Sequence, residues 1–436
     1  MVTHRPELHI TAPQGVLEAP AGSLVKEGTW HLMYQYEPNS DGHGRWGHVT
    51  SPNFSPFNWS EGSDILVPEG DETDLWAGSV ISDEGVVRLF FTSVHGDSTE
   101  IHRADVENSA VVHRGPVVTD TDEFFNFRSP CVIPRGAGWL MLAVCGPEDD
   151  PRPIILESMD TQEWSIIGML EFAGKSGLEG IPQLVSPRII VLQDEYTGDF
   201  HDVLLVTVQF GEIGICGYLV GHLAGSTFSV ETPFTRIDYG HDFSRPRTTN
   251  FDITDTTSLE GAIIFGLMDG GGALHDLDKD PSFHEENWVN CLSAPRLVTL
   301  QDGVLFQTPY PGITSRIEKT ERARLWSGMF NVGEGEISVS LVDRDDNVYA
   351  TISHTKDAVF LDRSEGSYFE DDEMAEAPVT CSDTQSMSIL VDGSTVEVFA
   401  DGGAATMASR VYFDEDFYRF VVRTTGGAEL EQVVSD

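Results

Sequence analysis

Short apolar runs of strand length, separated by turn residues and never extending into a helical period, constrain this chain more than any other feature. Val86-Val87-Arg88-Leu89-Phe90-Phe91, Trp139-Leu140-Met141-Leu142-Ala143-Val144, Val203-Leu204-Leu205-Val206-Thr207-Val208 and Gly261-Ala262-Ile263-Ile264-Phe265-Gly266 are examples from the first three hundred residues. They are rich in β-branched and aromatic residues, which fit a pleated surface, and 42 Gly and 22 Pro punctuate the chain. No long stretch repeats apolar residues every three or four positions, so the expected fold class is all-β. Repeated antiparallel groups over this length suit a β-propeller, and the pattern alone leaves a pair of eight-stranded barrels open. From about residue 315 a second all-β unit follows, with Glu336-Ile337-Ser338-Val339-Ser340-Leu341 and Ser388-Ile389-Leu390-Val391 as strands. The expected division is therefore residues 1–314 and 315–436.

A chain of 436 residues is ample for two cored domains. Its charge is extreme: 26 basic against 71 acidic residues give a formal net of −45, and only Lys26, Lys175, Lys279, Lys319 and Lys356 are lysines. The acids are dispersed, unlike the block of a disordered acidic tail. Such a surface repels itself unless salt screens it, and at molar salt the Debye length falls to about 3 Å. High-salt adaptation is the expectation, ahead of a polyanion that binds a basic partner. Nucleic acid is disfavoured as a partner, because phosphate contacts need clustered Lys and Arg. No apolar stretch approaches the roughly 20 residues that span a bilayer, so no membrane is expected. Met1-Val2-Thr3-His4-Arg5-Pro6-Glu7 lacks the pattern of a secretion signal. Cys131, Cys145, Cys216, Cys291 and Cys381 are scattered, odd in number and without a C-x-x-C pair, which suggests neither disulfides nor zinc. Together these point to a cytoplasmic protein with reduced thiols.

Several motifs lie in order along the chain. Gly15-Val16-Leu17-Glu18-Ala19-Pro20-Ala21-Gly22 is followed by Trp30-His31-Leu32-Met33-Tyr34-Gln35-Tyr36-Glu37-Pro38, Trp46-Gly47-His48 and Leu75-Trp76-Ala77-Gly78-Ser79. Arg128-Ser129-Pro130 and Glu179-Gly180-Ile181-Pro182-Gln183-Leu184 come next. Asp238-Tyr239-Gly240-His241-Asp242-Phe243, Cys291-Leu292-Ser293-Ala294-Pro295-Arg296 and Val391-Asp392-Gly393-Ser394-Thr395-Val396-Glu397-Val398-Phe399 complete the series. This order resembles glycoside hydrolase family 32, the invertases, levanases, inulinases and other β-fructosidases, over nearly the whole chain. The resemblance implies a five-bladed β-propeller with its site in the central funnel, followed by a C-terminal β-sandwich. It implies no metal and no cofactor.

The departures fall on the family's catalytic acids. The first motif of the family reads W-M-N-D-P-N-G with the Asp as nucleophile, and the ungapped match puts Ala19 there. Its R-D-P, whose Asp steadies the transition state, matches Arg128-Ser129-Pro130, so Ser129 stands for the acid. Its E-C-P-D-L supplies the general acid. If Pro182 and Leu184 set the register, Gly180 stands at that position; if one residue is inserted, Glu179 keeps the role. Retaining glycosidases need two carboxyl groups about 5–5.5 Å apart, one to attack and one to protonate the leaving oxygen. A one-residue shift on a strand turns a side chain to the other face unless a bulge re-aims it. Glu18 is accordingly read as a solvent or loop carboxylate.

Gln35, Trp46, Trp76, Arg128 and Asp242 match family positions implied to bind substrate. Each also has a plainer reading: propeller core for the two Trp, backbone bracing for Arg128, a turn cap for Asp242. His43, Arg45 and His48 lack a carboxylate or thiolate at ligand spacing. Asp276, Asp278 and Asp280 imitate an EF-hand start, but Pro281 and Asn287 stand where Gly and Glu are required. The resemblance thus leaves three readings. One is a fructoside-binding or regulatory protein, impaired in hydrolysis, whose partners are a small sugar or fructo-oligosaccharide and an active homologous enzyme. The second is an active β-fructofuranosidase-type hydrolase using a displaced Glu179. The third is a structural interaction protein with a decayed pocket. The charge itself yields a prediction: the melting temperature falls on dialysis from molar to low salt, and indifference to salt overturns the high-salt reading.

Overall fold

The computed structural model describes residues 3–435 apart from 39–41, 109, 182, 211–212, 252–260, 270–279, 367, 369–373, 380–384 and 416. Five antiparallel blades follow one another in chain order. Their inner strands are Gly15–Lys26, Asp74–Asp83, Arg128–Arg135, Leu184–Gln193 and Ser244–Phe251, and three antiparallel strands follow outward in each blade, with Glu171–Ala173 added in parallel at the outer edge of blade 4. The ring closes where the inner strand of blade 1 pairs in parallel with that of blade 5, Ser23 opposite Thr249 and Val25 opposite Phe251. The runs read as strands from sequence are these strands: Val86–His95, Gly138–Cys145, Phe200–Phe210 and Ala262–Met268 are the second strands of blades 2 to 5.

Second strands are buried on both faces because each blade packs between two others, which explains runs that are apolar without alternation. The core is correspondingly divided among blade pairs. Leu24, Trp46, Leu75 and Phe91 fill the gap between blades 1 and 2. Phe90, Val132 and Met141 join blades 2 and 3, and Leu142, Ile189 and Leu204 join blades 3 and 4. Tyr218, Ile264 and Val298 lie between blades 4 and 5, and Trp30, Phe265 and Leu267 between blades 5 and 1. Each such aliphatic or aromatic side chain contributes about 1.5–3 kcal/mol relative to exposure.

After blade 5 and the short helix Ile313–Ile317, two five-stranded antiparallel sheets form a β-sandwich. One runs from Ala405–Arg410 at one edge to Glu429–Ser435 at the other, and the other is built on Glu336–Val342. Ile337, Val339, Ile352, Ile389 and Val398 are among its fully buried residues. Cys131, Cys145, Cys216 and Cys291 are buried free thiols, and Cys381 lies outside the described residues. Of the acidic cluster at 276–280, only Asp280 is described; it caps the helix Pro281–Glu286 by accepting from Phe283 N. No helix among the described residues is long and apolar enough to cross a membrane.

Propeller and sandwich are joined by a buried ionic chain. Arg296 of blade 5 donates from Nε and Nη2 to Glu397 Oε2 at 2.8 and 2.6 Å, and from Nη1 to Asp238 Oδ2 at 2.8 Å. Glu397 Oε1 also meets Ala294 N at 2.8 Å and His9 Nε2 at 2.9 Å. His9 Nδ1 reaches Asp392 Oδ2 at 2.8 Å, and Asp392 further accepts from the backbone of Glu7 and Leu8. Asp242 belongs to the same interface: its Oδ2 accepts from Arg363 Nη1 at 2.9 Å and Arg410 N at 2.7 Å. The three C-terminal motifs of the sequence therefore share one structural task.

Burial opposes the charge on His9, but hydrogen bonds to Asp392 and Glu397 outweigh it and raise its pKa to about 9. Because the folded value lies above the ordinary 6.5, the imidazolium's contribution is fully present below 6.5 and lost as pH rises through about 9. The melting temperature should fall across that window. In His9→Gln the slope should vanish, and stability should drop by about 3–5 kcal/mol as two buried carboxylates lose their cation. A wild-type profile that stays flat through the window overturns this assignment.

Candidate functional site: a funnel floored by five bulges

Every inner strand is interrupted by a bulge, once in blades 2 to 5 and twice in blade 1, where a second shift lies between Pro20 and Gly22. In blade 2 the shift lies between Trp76 and Ser79, in blade 4 between Val185 and Arg188, and in blade 5 between Ser244 and Arg247. In blade 3, Ser129 and Pro130 oppose the single residue Ala143. In blade 1 the pairing shifts between Leu17 and Ala19, leaving Glu18 as the extra residue. Ser129, Ser186 and Arg245 have φ of 56°, 50° and 48°, a left-handed backbone that a bulge accommodates. A ring of bulges re-aims one side chain per blade and forms the floor of the funnel.

The blade 1 bulge decides the fate of the first motif. Ala19 is 1% exposed and packs with Trp46 and Leu75 in the core between blades 1 and 2. Glu18, the bulged residue, is half-buried, and its carboxylate accepts from Gln35 Nε2. Gln35 Oε1 accepts from Ala77 N at 2.7 Å, which ties this pair to the bulge of blade 2. Arg245 of blade 5 donates to the Glu18 carbonyl at 2.8 Å. Glu18 thus meets blade 5 through its carbonyl and blade 2 through Gln35, and its carboxyl feels the charges of Arg245 and Asp74 from those two blades. Burial raises the Glu18 pKa, and Glu37 and Asp74 add to the effect while Arg245 and Gln35 oppose it. The solvent or loop reading of Glu18 is therefore corrected: the bulge turns it inward. Arg245 is exposed in the funnel, and near it Asp269, at the end of the second strand of blade 5, accepts from Ser244 Oγ at 3.1 Å. Burial, with Asp242 nearby, pushes the Asp269 carboxyl up to about 6, while Arg245 pulls the other way.

The remaining residues singled out by sequence separate into groups. Trp76 is half-buried and pairs with Thr92 just before the blade 2 bulge, while Gln35 joins Glu18 to that bulge through Ala77 N. Trp46 is 0% exposed, edge-on to Phe91, and belongs to the core, not the funnel wall. Arg128 donates to the carbonyls of Asn126, Gly146 and Pro147, which makes it a brace of the blade 3 loops. Asp242 lies at the propeller–sandwich interface, and its expected contact with substrate is corrected on that ground. Ser129 donates its N–H to Thr92 Oγ1 at 3.0 Å, and its carbonyl accepts from Arg188.

Glu179 is exposed and folds back on its own turn, accepting from Ser176 N at 2.8 Å and Ser176 Oγ at 3.2 Å. Backbone N–H groups, its own and that of Ser176, hold its pKa below the ordinary value. A carboxylate held deprotonated is unsuited to donating a proton at neutral pH. Gly180, the other candidate for that position, has φ of 80° and open space around it. Pro182, on which the choice of register turned, lies outside the described residues. Residues that sequence reasoning missed are Arg245 and Asp269. A signal for the first existed: Arg128-Ser129-Pro130, Val185-Ser186-Pro187 and Ser244-Arg245-Pro246 are one repeated pattern, a residue before Pro at each bulge.

Comparison with known proteins matches this architecture. The family described as Glycosyl hydrolases family 32 N-terminal domain matches residues 9–309, and that described as Glycosyl hydrolases family 32 C terminal matches residues 330–435. Sucrose-6-phosphate hydrolase of Bacillus subtilis is 25% identical, covering 98% of this chain and 93% of its own. Raffinose invertase of Escherichia coli is 26% identical, covering 95% and 90%. Among solved structures, exo-inulinase from Aspergillus awamori superimposes with a TM-score of 0.82 at 20% identity, covering 100% of this chain and 98% of that one. Sucrose-6-phosphate hydrolase from Lactobacillus gasseri gives 0.81 at 19%, covering 98% and 92%. With both halves matched and the propeller and sandwich in place, the chain belongs to glycoside hydrolase family 32.

Proposed function

We propose that this protein binds a small fructoside in its propeller funnel and is impaired in hydrolysing it by the family's mechanism. One observation carries the reading: Ala19 and Ser129 stand where the family's nucleophile and stabilising acid belong, and the position of its general acid falls to Gly180 or to Glu179, which is exposed and turned back on Ser176. Loss of a nucleophile is usually more damaging than the 10²–10⁴-fold that general acid–base help supplies. Gln35, Trp76, Glu18 and Arg245 still offer the aromatic wall and convergent polar groups that a sugar site needs. Relatives are sucrose-6-phosphate hydrolases and an invertase, and structural neighbours hold sucrose, fructose and 1-kestose. A sucrose- or fructan-derived ligand follows from that company. In this reading the protein acts in a reducing, cytoplasmic compartment as a binding or regulatory companion of an active homologous enzyme.

The position of Glu18 favours one alternative. A half-buried carboxyl with a raised pKa, on the axis side of blade 1, is placed to serve as a proton donor, and Asp269 across Arg245 supplies a second perturbed carboxyl. An active hydrolase with displaced acids would use these groups in place of Glu179.

Turnover of sucrose, short inulin and levan oligosaccharides, measured at about 2–3 M KCl where screening is near its limit, separates the readings. No hydrolysis, with a melting temperature raised by one of these sugars, is the expected outcome. Turnover that falls about 10²–10⁴-fold in Glu18→Gln and persists in Glu179→Gln replaces it with the alternative. Turnover lost in Glu179→Gln overturns both, and no sugar effect on melting leaves only a decayed pocket. A stability measurement checks the Glu18 environment independently. Its folded pKa lies above the ordinary 4.5, so ionisation destabilises the fold as pH rises past that value. Glu18→Gln should therefore melt above wild type at neutral pH, with the gap closing below pH 4.5.

A further inference from the structure

One position beyond the bulges of blades 2 to 5, Ser79, Cys131, Arg188 and Arg247, with Gly22 just past the second shift of blade 1, line a small cavity between the inner strands. Arg188 and Arg247 are 1% and 4% exposed. Each anchors one end: Arg188 Nη1 donates to the carbonyls of Ser129 and Pro187 at 2.8 Å, and Arg247 Nη1 to those of Arg245 and Pro246 at 3.2 Å. The other ends meet no carboxylate, carbonyl or hydroxyl of the described residues. Nε and Nη2 of Arg188 and Nε of Arg247 are buried without a hydrogen-bond partner.

No carboxylate among the described residues pairs with either guanidinium, although the chain carries 71 of them. The cavity lining contains none. The groups that act electrostatically on the pair are each other, Arg245 and the thiols Cys131 and Cys216, and the Cys131 thiol lies close enough to Arg188 to act as a weak acceptor without supplying a carboxylate's charge. Burial holds the Cys216 thiol neutral by raising its pKa, so it supplies no counter-charge. A guanidinium does not give up its proton in a protein. Two of them side by side in a dry interior, unpaired, are strongly unfavourable unless an anion joins them.

The geometry points to a monoatomic anion, a halide, bound between Arg188 and Arg247 in the central channel. The space holds about one water-sized sphere, which suits a chloride or bromide ion and excludes sulfate, phosphate or a sugar carboxylate. Three donor nitrogens, Arg188 Nε and Nη2 and Arg247 Nε, with Ser79, Thr248 and Asn250 on the wall give it a polar cage. By fixing the guanidiniums, the ion fixes the carbonyls of Ser129, Pro187, Arg245 and Pro246, which form three of the five floor bulges.

The test is a chloride titration of the full-length protein at constant ionic strength of about 1 M, with gluconate as the replaced anion, so that screening of the acidic surface stays fixed. The expected result is a saturable rise in melting temperature; halide at a hundred times its Kd raises the folded-to-unfolded ratio about 100-fold. Arg188→Met and Arg247→Met should each remove the chloride dependence. Should either fail to fold, anomalous diffraction from a bromide-containing crystal of the wild type still decides, through a peak between the two guanidiniums. A melting temperature flat or falling with chloride overturns the proposal, as does a channel without a bromide peak. A bromide peak with no thermal effect denotes an adventitious ion only, and likewise overturns it.

Discussion

The contact between Arg296 and Glu397 is the interaction on which the rest of the molecule depends. Both groups are fully buried, one in blade 5 and the other in the sandwich. Isolated, each would be far too costly to bury; together they are tolerable only because every remaining donor and acceptor is met. Glu397 takes its other bonds from His9 and Ala294, and Arg296 gives its own to Asp238 and lies 4.2 Å over the ring of Phe243. The N-terminal segment, blade 5 and the sandwich are thereby held in one register. That register sets where blade 1 begins, and hence where its bulge falls.

The bulges then convert a closed ring of strands into a site. A regular inner strand would send alternate side chains into the neighbouring blades and leave the axis to whatever lay between. An extra residue, one in blades 2 to 5 and two in blade 1, reverses the alternation locally and re-aims a side chain. This is why Ala19 and Glu18 exchange the roles that an ungapped reading assigns: the residue aligned with the nucleophile packs in the core, and its neighbour faces the axis. The same displacement places Arg188 and Arg247 on the axis below the floor, where they hold the carbonyls of the bulges that turned them there.

Fold class was legible in the chain because double-sided burial leaves uninterrupted apolar runs, and Val203–Val208 or Gly138–Cys145 needed no partner information to be read as strands. The site was less legible for a physical reason. Side-chain direction on a strand depends on the parity of the register, and parity is lost at a bulge that sequence does not announce. Trp46 and Asp242 matched family positions well, yet what their surroundings preserve is packing in one case and an interface with Arg363 and Arg410 in the other. Motif identity reports that a residue is needed, not for which task. The repeated residue-before-Pro pattern at 129, 186 and 245 was the one local signal that carried parity information.

The distribution of charge is inverted relative to the surface. Arg103, Arg188, Arg247, Arg296, Arg363 and Arg410 are all buried, in a chain with 26 basic residues to set against 71 acids. No lysine is buried among the described residues, because a guanidinium can bridge several carbonyls and carboxylates in fixed directions whereas an ammonium is a strongly hydrated point charge. Salt acts differently on the two populations. The dispersed surface acids lose their mutual repulsion once the Debye length falls to a few ångströms, while buried pairs such as Arg296 with Glu397 are screened much less. Raising the salt therefore relieves what opposes folding and largely spares what holds it together. A scarcity of lysine outside and a concentration of arginine inside are two expressions of that one electrostatic arrangement.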